Sequence, residues 1–399
     1  MRIKPILLTL FIAIYSINCQ SQKIKRLAKK GIVKQSNYNS KIPFRYEKKH
    51  IFIDVSINGE IYNFLFDTGF TVNAIDLKYI KNVDYKNVVK KNVSGSSIKK
   101  HKVQFIEMQK LSISNIDFNE IGATIMDLSF INKDYACSSK PVAGVIGVNT
   151  LRKSNWQIDY QNQEILFSDN ISNFNISDKA IEIKIIPKDW GNPIVDVDIN
   201  GVSKKFTLDT GSSGNITTGN DFKGNLITNR INYISLTKKD KSNKNYNNYY
   251  ALIEQIDIGD LKLNNHIISL EKGASSLIGN DLFEHFIITI DWINNKFFLE
   301  PINNPVGKTF RDFEILLKPN YSSNRIEISG FYNHKLLQKE YEIGTEIVKI
   351  NEQDVSNLSK QQLCDFWENK WKKNSSREKV VIETENKKIE LIKTKLLTK

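Results

Sequence analysis

F-L-F-D-T-G-F, Phe64 to Phe70, returns in nearly the same words 142 residues later (209 − 67) as F-T-L-D-T-G-S, Phe206 to Ser212. The likeness extends upstream. V-S-I-N-G-E-I-Y-N-F-L-F-D-T-G-F (Val55 to Phe70) sets beside V-D-I-N-G-V-S-K-K-F-T-L-D-T-G-S (Val197 to Ser212). Each reads as a strand, an I-N-G turn, a second strand and then D-T-G. Asn-Gly between alternating apolar runs is a strong hairpin signal. A lone D-T-G is a turn that happens to contain an acid. Two copies, equally spaced from Gly59 and Gly201, indicate a duplicated unit.

A second pair of landmarks follows. V-A-G-V-I-G-V-N-T-L (Val142 to Leu151) parallels S-S-L-I-G-N-D-L-F (Ser275 to Phe283). The hairpins I-D-Y-Q-N-Q-E-I-L-F (Ile158 to Phe167) and I-D-W-I-N-N-K-F-F-L (Ile290 to Leu299) come next. Between the landmarks, L-S-I-S-N-I-D-F (Leu111 to Phe118) resembles I-D-I-G-D-L-K-L (Ile256 to Leu263). Residues 50–168 and 190–302 therefore read as two copies of one β-rich unit. Strands are short and turn residues frequent, with helix expected only near Asn149 to Ser154 and Asn280 to His285. The fold class is all-β.

With 399 residues the chain is too long for one ordinary core, and two or three domains are expected. The net charge of +13 comes from scattered lysines and local runs such as K-K-H-K (Lys99 to Lys102) and K-K-D-K-S-N-K (Lys238 to Lys244). No basic stripe with interleaved aromatics accompanies them, so no nucleic-acid partner is expected. The start, M-R-I-K-P-I-L-L-T-L-F-I-A-I-Y-S-I-N-C-Q, has the basic and then apolar order of a signal peptide. Cys19 stands where a bacterial lipoprotein carries its lipidated cysteine, although Ser16 and Asn18 depart from that pattern. Lipid anchoring and plain cleavage with export both fit. Cys137 and Cys364 lie far apart, and burial as small apolar side chains is expected rather than a disulfide. The five histidines are scattered without metal-ligand spacing, so no metal site is expected.

The doubled D-T-G with its following hydrophobic–hydrophobic–Gly resembles the aspartic protease superfamily, in particular bacterial retropepsin-like and pepsin-like proteins with two lobes in one chain. The likeness covers roughly residues 50–302. It implies a bilobal pair of double-ψ β-barrels in which Asp67 and Asp209 face each other. Val145-Ile146-Gly147 and Leu277-Ile278-Gly279 thread behind them, with Gly147 and Gly279 permitting close packing. Two touching carboxyls share one proton, so one can activate a water while the other donates to the scissile carbonyl. This chemistry needs no cofactor. Thr68 and Thr210 are expected to bond across the lobes. Gly69 and Gly211 let backbone N–H groups approach the carboxylates. Ser212 obeys the family's small-hydroxyl pattern after D-T-G, and its hydroxyl is expected to reach Asp209. Phe70 does not obey it. Its bulk either shapes a pocket or marks a lobe that has lost catalysis, with Thr71 as a substitute donor. Lys90 to His101, with Gly95 at its tip, and Leu236 to Tyr250 are each read as a flap or an ordinary surface loop.

After Pro301 and Pro305 the pattern changes. Y-E-I-G-T-E-I-V-K-I-N-E-Q-D-V-S-N-L-S (Tyr341 to Ser359) resembles the PDZ pattern, with Thr345 and Glu352 in place of the usual Asp and Gly. An amphipathic helix (Lys360 to Trp371) and two strands (Lys379 to Thr384, Lys388 to Lys393) complete a small α+β domain. I-S-G-F-Y (Ile328 to Tyr332) is the candidate carboxylate-binding loop of a peptide groove, if the domain binds a ligand at all.

The expected organisation is a signal peptide (1–19), a linker or pro-segment (20–49), two lobes (50–175 and 176–303) and a PDZ-like domain (310–396). The expected protein is a monomeric, exported aspartic endopeptidase of the cell envelope, lipid-anchored, periplasmic or secreted, acting on peptide or protein substrates. The alternative is an inactive peptide-binding relative that keeps the cleft.

Overall fold

The computed structural model describes residues 22–93, 101–187, 191–222, 229–235, 248–303, 309–332, 337 and 340–398. Cys19, the signal segment and Gly95 lie outside them. The architecture is all-β. A nine-stranded sheet builds the first lobe, an eleven-stranded sheet runs through the second, and a six-stranded antiparallel sheet joins the two.

Each lobe is laid out by its N-G turn. Asn58 and Gly59 have φ of 52° and 86°, and Asn200 and Gly201 have 49° and 81°. Positive φ at both central residues matches the right-handed twist of the flanking strands, which is why Asn-Gly closes these hairpins. The hairpin His50–Ile57 / Glu60–Phe66 thus matches Pro193–Ile199 / Val202–Leu208. Behind each motif strand runs a parallel neighbour: Gly144–Ile146 beside Phe64 to Phe66, and Leu277–Ile278 beside Thr207 and Leu208. A Cβ on Gly144 would strike the Phe64 ring, so the close parallel approach requires glycine there. One-turn helices Val148–Leu151 and Asn280–Phe283 follow the threaded glycines.

The joining sheet takes three strands from each half. Asn155–Asp159 pairs with Phe286–Asp291, with Trp156 opposite Ile290. Trp156 is fully buried, stacks on Phe167 and meets Phe66 edge-on, so the core beneath the first motif strand is continuous with this sheet. Its edge strand on the first-lobe side is Asn39–Pro43. Residues 22–29 are helical and bury Ile24, Leu27 and Ala28. Residues 22–47, expected as a linker or pro-segment, are thus built into the first lobe, because their apolar residues find partners there.

Two expectations for the C-terminal third are overturned. Ile328 to Tyr332 is not a loop: it lies in the strand Arg325–Tyr332, paired on one side with Ile315–Asn320 and on the other with Arg230–Ser235 of the second lobe. Ile326, Ile328 and Phe331 are fully buried, and core demand rather than the glycine decides the backbone there. Cys137 and Cys364 form a disulfide with Cα atoms 5.5 Å apart. Separation of 227 residues is no obstacle once the helix Lys360–Asp365 packs against the first lobe. Lys48 reinforces this contact, pairing with Glu368 at 3.4 Å and lying over the Tyr321 ring. Closing so long a loop is worth about 2–5 kcal/mol. Cys137→Ser/Cys364→Ser should therefore lower the melting temperature and make residues beyond 340 the first site of limited proteolysis. Unchanged melting and digestion would count against the disulfide as a structural tie.

Candidate active site

The two D-T-G tripeptides meet where the lobes touch. Asp67 N–H donates to Ile146 O at 3.0 Å and Asp209 N–H to Ile278 O at 2.8 Å, so the threaded strands carry each aspartate at the same point of its lobe. The two carboxyl groups are hydrogen-bonded to each other. A Cβ on Gly69 would collide with the Asp209 carboxylate, and one on Gly211 with that of Asp67. Each glycine of one motif is thus vacant space for the acid of the other.

The threonines lock this arrangement. Thr68 N–H donates to Thr210 Oγ1 at 3.0 Å, and Thr210 N–H to Thr68 Oγ1 at 3.0 Å. Each hydroxyl then donates across the lobes, Thr68 to Leu208 O at 2.7 Å and Thr210 to Phe66 O at 3.0 Å. Both threonines are 1 % exposed. Thr68→Val keeps the shape but strips the Thr210 N–H and the Leu208 carbonyl of partners. Each buried orphan costs about 1–3 kcal/mol. Thr68→Val should therefore lose roughly 2–5 kcal/mol in denaturant unfolding; a loss under about 1 kcal/mol would mean the lobes are held elsewhere.

The acids differ in surroundings. Asp67 Oδ1 accepts N–H bonds from Gly69 and Phe70, each at 2.8 Å, and Asp209 Oδ1 accepts from Gly211 at 2.9 Å. Burial pushes both carboxyls above the usual carboxylate range. At Asp67 the neighbouring Asp209 charge adds to desolvation, while the main-chain N–H bonds to both acids favour their ionised forms. The pair therefore holds one shared proton.

Three side chains fall elsewhere than expected. The Ser212 hydroxyl takes the Gly214 N–H at 3.4 Å rather than reaching Asp209, because it is turned toward the threaded Gly279. Thr71 Oγ1 donates to Asn192 Oδ1 at 3.1 Å, not to Asp67. Phe70 supports Asp67 through its main chain, and its ring packs on the first-lobe cluster of Phe52, Leu65, Val103 and Phe105. Gly147 and Gly279 sit as expected, each with a Cβ position blocked by backbone: Phe70 O at 2.7 Å for Gly147, and Ser212 O and Gly214 O at 2.5 Å for Gly279. The flap candidates are borne on paired strands, Tyr85–Val93 with His101–Ile113 and Arg230–Ser235 with Asn248–Ile258. Their tips, at 94–100 and 236–247, lie outside the described residues.

Residue-by-residue reading missed two positions. His50 Nε2 meets Gly211 O at 3.1 Å, and Asn192 Nδ2 donates to Gly69 O at 2.8 Å and Thr68 O at 3.3 Å. Their separation equals that of the two aspartates (192 − 50), and this was the available signal.

Residues 53–150 match the model of a family described as aspartyl protease. The match contains Asp67, Thr68, Gly69 and Gly147, and supports a general protease function. No curated protein matches the chain significantly.

Proposed function

We propose that this chain is an aspartic endopeptidase that hydrolyses peptide bonds through Asp67 and Asp209. The observation that carries this reading is the pair of mutually hydrogen-bonded carboxyls, each aimed by main-chain N–H donors and held between cross-bonded threonines. The ionised carboxyl of the pair takes a proton from a water whose oxygen attacks the scissile carbonyl carbon. The protonated carboxyl gives its proton to the carbonyl oxygen, producing a tetrahedral diol. Collapse breaks the C–N bond, with a proton passing to the leaving amine, and the shared-proton state is restored.

The alternative of a binding cleft without turnover rested on Phe70. Its N–H bond to Asp67 at 2.8 Å supplies the support that a hydroxyl was expected to give, which favours turnover. The disulfide favours export, since such bonds persist in oxidising compartments. Anchoring through Cys19 would then hold the enzyme at the envelope. The C-terminal segment is read as PDZ-like. Ile315–Asn320 ends its sheet among the described residues and shares a hydrophobic core with the helix Lys360–Asp365, an arrangement suited to adding a peptide strand during substrate selection.

Cleavage of a diverse peptide library from about pH 3 to pH 8, the range over which a carboxyl dyad can work, tests the reading. Hydrolysis on the acid side, abolished by a peptide bearing a secondary alcohol in place of the scissile carbonyl, is expected. Peptide binding without cleavage at any pH would restore the binding-only alternative.

A further inference from the structure

His50 opens the strand His50–Ile57, and Asn192 immediately precedes the matching strand Pro193–Ile199. By the spacing of the repeat they are the same position in the two lobes. Each reaches across to the other lobe and holds the carbonyl of that lobe's D-T-G glycine: His50 holds Gly211, and Asn192 holds Gly69. This second reciprocal pair lies outside the threonine pair and touches neither carboxylate.

Its consequence follows from peptide planarity. The Gly69 N–H that grips Asp67 belongs to the same rigid unit as the Thr68 carbonyl. The Phe70 N–H that grips Asp67 belongs to the unit of the Gly69 carbonyl. Asn192 Nδ2 donates to both carbonyls, so it aims both donors. On the other side, Thr210 O takes Asn280 Nδ2 at 2.6 Å, which aims the Gly211 N–H toward Asp209. His50 holds the next unit, whose Ser212 N–H turns back to Asp209 O at 3.1 Å. A carbonyl can only accept, so the bond to Gly211 is made when Nε2 carries a ring proton; Nδ1 lies 2.6 Å from the Tyr135 hydroxyl and 3.0 Å from Lys48 O.

We propose that His50 and Asn192 are a pseudosymmetric pair of positioning residues for hydrolysis, each donated by one lobe to orient the carboxylate-gripping loop of the other. The inference rests on the peptidase reading of Asp67 and Asp209. It makes the aim of Asp67, and the seating of the loop that carries the Asp209 donor, conditional on the two lobes being closed together.

The test compares His50→Ala, His50→Asn and Asn192→Ala in the full chain, by kcat and KM on a peptide that the wild type cuts, by melting temperature, and by carbon-13 NMR titration of the aspartate carboxyls. The two alanine variants should lose about tenfold or more in kcat, with KM changed less than about threefold. His50→Asn should recover most of the loss, because Asn192 demonstrates that an amide at this position reaches its carbonyl. Unchanged kcat in folded alanine variants, or no recovery in His50→Asn, would overturn the proposal. If His50→Ala does not fold, Asn192→Ala carries the comparison. If the wild type cuts nothing, the peptidase reading fails first and the titration decides: Asn192→Ala should still raise the apparent pKa of the pair, and an unmoved titration overturns the positioning role.

Discussion

Asp67→Asn and Asp209→Asn should each abolish peptide cleavage, lowering kcat by roughly 10⁴-fold, because members of a catalytic unit do not substitute for one another. An amide at either position cannot take the proton of the attacking water and is a far weaker acid toward the carbonyl oxygen. The same variants carry a stability signature of opposite sense. Both carboxyls are raised above their ordinary value in the folded chain. The folded state therefore binds protons that the unfolded chain releases, and stability falls as pH climbs from about 4 through the folded-state value. Asp67→Asn removes that ionisation while keeping an oxygen for the Gly69 and Phe70 N–H groups. It should melt at or above the wild-type temperature at neutral pH, with the difference closing toward pH 3. Residual turnover within tenfold of wild type would rule out the dyad. A variant less stable at neutral pH would mean that ionised Asp67 is held more firmly than its burial allows.

Gly211→Ala should cost at least about 10²-fold in kcat, the scale of an ångström's misplacement at a reacting centre. The reason is space: the added Cβ would occupy the position of the Asp67 carboxylate, and Gly69→Ala would do the same to Asp209. Neither glycine has a left-handed φ, so backbone strain is not the cause. Gly201→Ala is the control. Gly201 has φ of 81° with nothing within 4 Å of its would-be Cβ. That alanine should cost about 1–2 kcal/mol of stability and leave kcat unchanged. Kinetics on the two variants, with unfolding curves, separates the roles. Equal kcat losses in both would show that the motif glycine acts through general stability, not through the acid opposite it.

What the sequence determined by itself is what short-range rules control. Period-two alternation set the strands, Asn-Gly set the hairpins at 58–59 and 200–201, and the repeated D-T-G with its later glycine located the aspartates, threonines and threading strands. Duplication amplified these signals, since each local pattern is written twice. What the tertiary structure decided is which of several partners within reach each polar group takes. Ser212 bonds Gly214 and Thr71 bonds Asn192, because a hydroxyl follows the nearest well-aimed partner, and aim is a property of the folded backbone. Ile328 to Tyr332 became a buried strand because the second lobe offered it an edge. Cys137 found Cys364 because a helix from the far end of the chain packs on the first lobe. His50 and Asn192 shared the repeat's spacing in plain view. Their chemical difference hid the equivalence, and only the packing of the lobes gave each a carbonyl to hold.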